Sequence, residues 1–240
     1  MAYRGTAYHG FQIQNNAHTV QEVVQKCVSK VLNEPVTING CSRTDAGVHA
    51  KAYCFSVRTN SRIPTIGFIR GVNGELPKDI SILSCEEVDE DFHARFSCSS
   101  KEYLYLIHNS ECKDPFTTDL AYHYRRPFHP ELVREAAQHF VGTHDFRAFC
   151  SCNTEKINTV RTIHHFKVEQ DGEKIMLYVK GDGFLYNMVR IMVGTLLDIN
   201  EGKIPYEQLD EIIASGDRLR AGKTAMAHGL YLNHVFYDEK

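Results

Sequence analysis

The longest apolar run in the 240-residue chain, Met188 to Leu197, limits the possible folds more than any other segment. It is interrupted by Arg190 and ends at Asp198, far short of the roughly 20 apolar residues that a membrane span needs. Taken from Phe184 to Ile199, the segment reads as a helix. Leu185, Met188, Val189, Ile191, Met192, Val193, Leu196 and Leu197 cover most of its circumference. Protein must therefore surround it on nearly every side, which calls for a layered fold with a substantial core. Arg190 is the only charge between Phe184 and Leu197. A buried guanidinium is costly unless a carboxylate or comparable acceptors meet it. It can form a structural ion pair, snorkel its head to solvent, or hold a catalytic carboxylate ionised and oriented.

Around that helix the sequence predicts an ordered series of elements. Apolar residues at 20, 23, 24, 27, 28, 31 and 32 give a helix over Thr19–Leu32, with Thr19 and Glu22 spaced as a capping box. Strands are expected at 1–4, 36–41, 52–57 and 80–88, with a helix from Pro64 to Val72. After a bridging strand at 102–107, strands follow at 120–124, 160–169, 174–180 and 230–237. The remaining helices fall at 130–141, 184–199 and 205–214. Both halves thus read close to βαββαβ, the order of the ferredoxin-like unit. The expected architecture is α+β: two tandem ferredoxin-like halves, 1–98 and 99–240, sharing an antiparallel sheet with helices on one face. A ligand site is expected in the cleft between them, because sites favour domain junctions.

Composition narrows the class further. Apolar residues at 42% and charged residues at 24% match ordinary globular domains and exclude a fibrous repeat or a disordered tail. The opening MAYRGTAYHG lacks the basic start and apolar stretch of a secretory signal. The eight cysteines never form CxxC, and Cys150 with Cys152 gives only C-S-C, so they are expected as reduced thiols in a cytoplasmic protein. Thirteen histidines include no HxxxH pair on a helix, and no metal site is expected. The formal charge of −3 means that any nucleic-acid surface must be local.

Three segments carry candidate chemistry. Ser42 to Ala50, SRTDAGVHA, is a polar loop with Asp45 and Gly47 in a D-x-G turn; Arg43, Asp45 and His49 crowd into it. Asp45 can simply bond its own turn backbone. Tyr103 and Tyr105 alternate on the bridging strand and share a face, which suits cross-strand packing or base stacking. His144-Asp145 has the form of the doublet used by metal phosphohydrolases, but lacks the further ligands that chemistry needs.

Segments spread along the whole chain resemble the TruA family of tRNA pseudouridine synthases. They are YRGTAYHGFQIQ (3–14), RTDAGVHA (43–50), FHARF (92–96), GTHDF (142–146), TVRTI (159–163), FLYNMVR (184–190) and GLYL (229–232). The resemblance implies isomerisation of uridine to pseudouridine at positions 38, 39 or 40 of the tRNA anticodon stem-loop, by a homodimer, without cofactor or metal. It also implies roles. Asp45 is the nucleophile, Arg190 its ion-pair partner, and Tyr103 stacks on the target base and takes part in proton transfer. Arg43 fills the space left by the flipped nucleotide. Two departures stand out: Met1 lies only two residues ahead of Tyr3, and Thr224–His228 differs from the TAP-like segment usual before Gly229.

These implied roles fit the chemistry. Uracil must leave the ribose through nitrogen, turn, and rejoin through carbon while held in a pocket. An ionised Asp45 can add to the base at C6 or act at the ribose. A poorly hydrated pocket would raise its pKa, and a nearby Arg190 would lower it again. Base flipping needs a filler and an aromatic face, tasks that Arg43 and Tyr103 suit. Arg95 and Lys101 are expected as RNA contacts. Arg58, Arg62, Arg70, Arg125, Arg126, Arg218, Arg220 and Lys223 are further cations that a dimer could join into a phosphate-binding surface. The tRNA would be read through shape and phosphates more than base edges.

Overall fold

In the computed structural model, which describes residues 1–151 and 158–237, the chain divides into two compact units. The first comprises Met1–Ser99 with the returning chain from Tyr231, and the second Ser100–Leu230. Each combines helices with a mostly antiparallel sheet, a mixed α+β architecture. Among the described residues no helix is long and apolar enough to cross a membrane.

In the first unit, β1 (Ala2–Tyr3) pairs antiparallel with both β3 (His49–Ala50) and β5 (Ile80–Ser81). The last strand, β11 (Leu230–Tyr237), joins them by pairing in parallel with β3, Tyr231 opposite His49 and Leu232 opposite Ala50. The final strand falls within the first unit, whereas the division expected at 98/99 places it in the second half. β2 (Ile38–Gly40) and β4 (Phe55–Val57) form a separate antiparallel ladder. α1 (Val20–Leu32) buries Val20, Val24, Val28 and Leu32, one residue per turn, and packs against α2 (Thr65–Glu75), which buries Phe68 and Val72. The strand expected over 80–88 stops at Ser81. There the Asn73 side chain takes both main-chain groups of Ile82, Oδ1 accepting from its N–H at 2.7 Å and Nδ2 donating to its carbonyl at 2.9 Å.

The capping box expected at Thr19 does not form. Thr19 is the N-cap, but its side chain makes no capping hydrogen bond, and its buried hydroxyl has no hydrogen-bond partner. The carbonyls of Gly10 and Phe11 instead accept from the first-turn N–H groups of Val20 and Gln21, at 3.2 and 2.9 Å. A tertiary contact thus does the work that the sequence pattern assigned to a side chain.

In the second unit, β6 (Cys98–Asn109) pairs in parallel with β7 (Tyr122–Tyr124) and antiparallel with β10 (Lys174–Gly181). β9 (Val160–Asp171) and β8 (Gly142–Asp145) extend the sheet antiparallel beyond β10. α3 (Pro130–Gln138) packs on β9 and on α4 (Met188–Asn200); α5 (Leu209–Ser215) follows a 3-10 turn at Tyr206–Gln208. As its apolar circumference requires, α4 is enclosed: every residue from Ile191 to Asn200 is buried. It begins at Met188 and not at the expected Phe184, because Asn187 adopts a left-handed conformation with φ 61° that interrupts a right-handed helix. Phe184–Asn187 is therefore a loop. Cys152 lies outside the described residues; the other cysteines carry thiols and no disulfides.

Candidate active site

The Asp45 loop hangs in the first unit from neighbours on several sides. Before the aspartate, the buried Tyr53 hydroxyl donates to the carbonyl of Ser42, and the Tyr3 hydroxyl lies 2.7 Å from Thr44 Oγ1. Phe11 N–H donates to the Thr44 carbonyl at 3.1 Å. After it, Val48 N–H closes a turn on the Asp45 carbonyl at 3.2 Å, and Gly47 N–H donates to Tyr8 at 3.2 Å. Gly47 has φ +77°, which side-chain-bearing residues rarely adopt. Gly5 meets the loop so closely that a Cβ there would lie 2.0 Å from the Val48 carbonyl oxygen. Its N–H donates to Nδ1 of the fully buried His49 at 2.9 Å, and the His49 ring stacks on Tyr231 at 4.7 Å. Nδ1 is thus an acceptor, so the neutral ring carries its proton on Nε2. The result is a rigid arch that leaves Arg43 exposed and Asp45 half-buried.

In the second unit, β6 and the loop before α4 carry the other residues. Tyr103 is 7% exposed, sits opposite Val179 of β10, and receives the Phe184 ring edge-on at 5.1 Å. Lys101, two residues earlier on the same strand face and partly exposed, pairs opposite Gly181. From Phe184 the chain turns through Asn187 into α4, and Arg190 follows in its first turn. The Arg190 guanidinium donates from Nη1 to Asn187 Oδ1 and from Nε to the Ala225 carbonyl, each at 2.7 Å. The acceptors demanded by an arginine on an apolar helix therefore include a side-chain amide and a main-chain carbonyl. The left-handed turn that starts the helix also aims one of them.

Other candidates separate into two groups. Arg95 is exposed, with its guanidinium 5.7 Å from the centre of the Phe96 ring, itself 77% exposed. Arg218 is spent internally: Nη1 donates to the Gly222 carbonyl at 2.9 Å and Nη2 to Thr224 Oγ1 at 3.1 Å. Arg126 and Lys223 lie beside Glu201 at 2.6 and 3.9 Å, and Arg220 meets Glu211 at 3.3 Å. These four have structural partners that single-residue reading of charge did not reveal. His144-Asp145 is also structural: Asp145 Oδ1 accepts from Arg147 N–H at 3.0 Å and from Thr159 Oγ1 at 2.5 Å, and His144 Nε2 lies 3.1 Å from the Val141 carbonyl. Among the described residues no three His, Cys, Asp or Glu side chains are placed to hold a metal ion.

Sequence reasoning did not single out Tyr3, Tyr53 and His49 as holders of the loop, nor Asn187 and Ala225 as acceptors for Arg190. The glycines at 5 and 47 were a usable signal, since close approach and positive φ both select glycine. A carbonyl acceptor such as that of Ala225 leaves no mark on residue type.

Residues 1–97 and 136–238 match the family model described as tRNA pseudouridine synthase. The chain is 46% identical over 235 residues to tRNA pseudouridine synthase A 2 of Clostridium perfringens, covering 98% of this chain and 96% of that protein. It is 46% identical over 236 residues to tRNA pseudouridine synthase A of Ruminiclostridium cellulolyticum, with the same coverage. The corresponding protein of Brevibacillus brevis is 43% identical over 237 residues, covering 99% and 97%.

Proposed function

Because the chain belongs to the tRNA pseudouridine synthase family, we propose that its two residue clusters serve one reaction, with Asp45 as nucleophile and Tyr103 and Arg190 beside it in the working enzyme. The protein is an isomerase that converts uridine to pseudouridine at positions 38–40 of the tRNA anticodon stem-loop. The N1–C1′ bond breaks and a C5–C1′ bond forms; the C5 proton leaves to solvent and N1 gains one, so no oxidant or reductant is required. The observation that carries the site assignment is the Asp45 arch. Hydrogen bonds and close glycine contacts fix its backbone on both sides of the aspartate, while Arg43 at its crest stays exposed. Such preorganisation suits a nucleophile and a side chain that enters the stem as the base flips out. Tyr103, braced by Phe184, supplies the aromatic face, and Arg190 keeps the carboxylate ionised.

The same reading takes Arg95 and Lys101 as tRNA contacts, the assembly as a homodimer and the compartment as the cytoplasm. Each half is read as ferredoxin-like. For the first, the order β5-β1-β3 with both neighbours antiparallel to β1 supports this.

Asp45→Asn tests the assignment. The amide keeps the shape and cannot ionise, so the variant should fold, bind tRNA like the parent, and release tritium from C5-labelled tRNA only at background. Substantial tritium release would remove Asp45 from the chemistry. Joint loss of folding and binding would make it a structural turn residue.

A further inference from the structure

The support for Arg190 extends beyond its own helix. Residues 222–226 form an irregular strap laid along α4 and held at successive positions. Gly222 N–H donates to Thr195 Oγ1 at 2.9 Å, Lys223 N–H to Asp198 Oδ2 at 3.2 Å, and Ala225 N–H to the Arg190 carbonyl at 3.0 Å. Arg218 grips the strap through the Gly222 carbonyl and Thr224 Oγ1. The strap in turn presents two consecutive carbonyls to side-chain donors: Ala225 O takes Arg190 Nε at 2.7 Å, and Met226 O takes the Tyr105 hydroxyl at 2.8 Å.

Tyr105 is fully buried on β6, two residues beyond Tyr103. Gly229 lies flat against its ring, where a Cβ would come within 2.7 Å of Cζ. The ring is therefore clamped, and its hydroxyl reaches the strap at one residue from the carbonyl that orients Arg190. The Ala225 and Met226 carbonyls belong to successive peptide planes that meet at the Met226 Cα, so the Tyr105 hydroxyl anchors the plane next to the one that receives Arg190.

We propose that Tyr105 is a positioning residue for the isomerisation: its hydroxyl fixes the strap whose Ala225 carbonyl aims the Arg190 guanidinium. This rests on the reading that Arg190 serves catalysis. β6 then contributes two tyrosines with separate tasks, Tyr103 toward the base and Tyr105 toward the arginine. Burial raises the Tyr105 phenol well above its ordinary pKa, so the donor is present throughout the working pH range.

The test compares Tyr105→Phe, Arg190→Lys and the double variant with the parent, in the full-length protein. Tritium release is measured with enzyme in excess over tRNA, alongside a tRNA binding isotherm. Tyr105→Phe retains the ring and should slow release at saturation by about 5- to 50-fold with Kd within about twofold. Lysine has no Nε–H for Ala225, so adding Tyr105→Phe to Arg190→Lys should cost less than about a further twofold. Hydrogen exchange supplies a readout independent of turnover: the Ala225 amide should lose protection in Tyr105→Phe while amides from Leu196 to Asn200 keep theirs. If Tyr105→Phe does not fold, Gly229→Ala, which displaces the ring, should show the same exchange and rate pattern. Parental turnover in Tyr105→Phe, or independent multiplication of the two effects, would overturn the proposal. Parental turnover in Arg190→Lys would defeat the functional reading beneath it, whatever Tyr105→Phe shows.

Discussion

The hydroxyl of Tyr3 lies 2.7 Å from that of Thr44, the residue just before Asp45. Tyr3 belongs to β1, which is paired on both edges, with β3 and β5, so this bond ties the loop to a strand held on both sides. Tyr3→Phe removes the bond without changing the packed ring, and Thr44, 7% exposed, loses that partner. The expected cost is about 1–2 kcal/mol of stability. Turnover should fall several-fold with tRNA affinity unchanged, because Arg43 and Asp45 lose a fixed backbone. Urea unfolding read beside tritium release checks both; stability lost with turnover intact would show that the arch needs no such tie.

A Cβ on Gly194 would sit 1.7 Å from the Lys223 carbonyl oxygen, a main-chain atom that cannot rotate away. Alanine ordinarily stabilises a helix interior by about 1 kcal/mol over glycine. Here the strap would have to lift off α4, so Gly194→Ala should destabilise by roughly 1–3 kcal/mol. Gly74, near the end of α2, has nothing within 4 Å of its hypothetical Cβ, and Gly74→Ala should raise the melting temperature. Melting curves moving in the same direction for both would refute the packing argument.

Legibility in the sequence followed how local each cause is. β11 appears over the expected 230–237, and β10 within one residue of expectation, because alternation alone defines them. The burial of α4 followed from its apolar circumference, but its start did not: Asn187 reads as an ordinary helical residue until its left-handed backbone is seen. β3 was missed because two residues, His49 and Ala50, are too few to show a period. The Thr19 capping box failed for the opposite reason. Its local pattern was sound, but carbonyls from Gly10 and Phe11 reached the helix first. At the candidate site, Arg190 announced itself by its charge on an apolar helix. Its main-chain acceptor could not, since any residue but a missing one has a carbonyl.

Glu201 gathers three cations beyond the end of α4. Its side chain is 3% exposed, with Arg126 and Lys203 each at 2.6 Å and Lys223 at 3.9 Å. Burial pushes its carboxyl upward, but the Lys203 hydrogen bond and the charges of Lys223, Lys203 and Arg126 outweigh it and leave the pKa below the ordinary 4.5. A depressed carboxylate stabilises the fold above its unfolded pKa, and that contribution is lost as pH falls through the folded value. Glu201→Gln should therefore cost about 1 kcal/mol at pH 7, with its exposed lysine and arginine partners rehydrated. It should also flatten the decline in stability below pH 4.5. Urea midpoints at neutral and acidic pH measure this; equal destabilisation at both would rule out the charge explanation.

His228 follows the strap in the turn Ala227–Gly229, and its imidazole pKa is lowered from the ordinary 6.5. Burial is the main cause; Asp119 opposes it and the Arg190 charge adds to it. The unfolded chain therefore takes up this proton at a higher pH than the folded one. As pH drops below 6.5 the unfolded state binds more protons, so stability declines and levels off only once the folded imidazole is also protonated. Replacing His228 with Gln should remove that component of the slope, seen as a smaller fall in melting temperature between neutral pH and the folded pKa. Imidazole NMR, with the His228 resonance identified by its absence in His228→Gln, should show titration below 6.5 in the parent. Arg190→Gln should move that midpoint upward, because a cation near the ring has been removed. A midpoint at or above the ordinary value, or one unmoved by Arg190→Gln, would mean that His228 is hydrated and that the arginine's field does not reach the turn beside its strap.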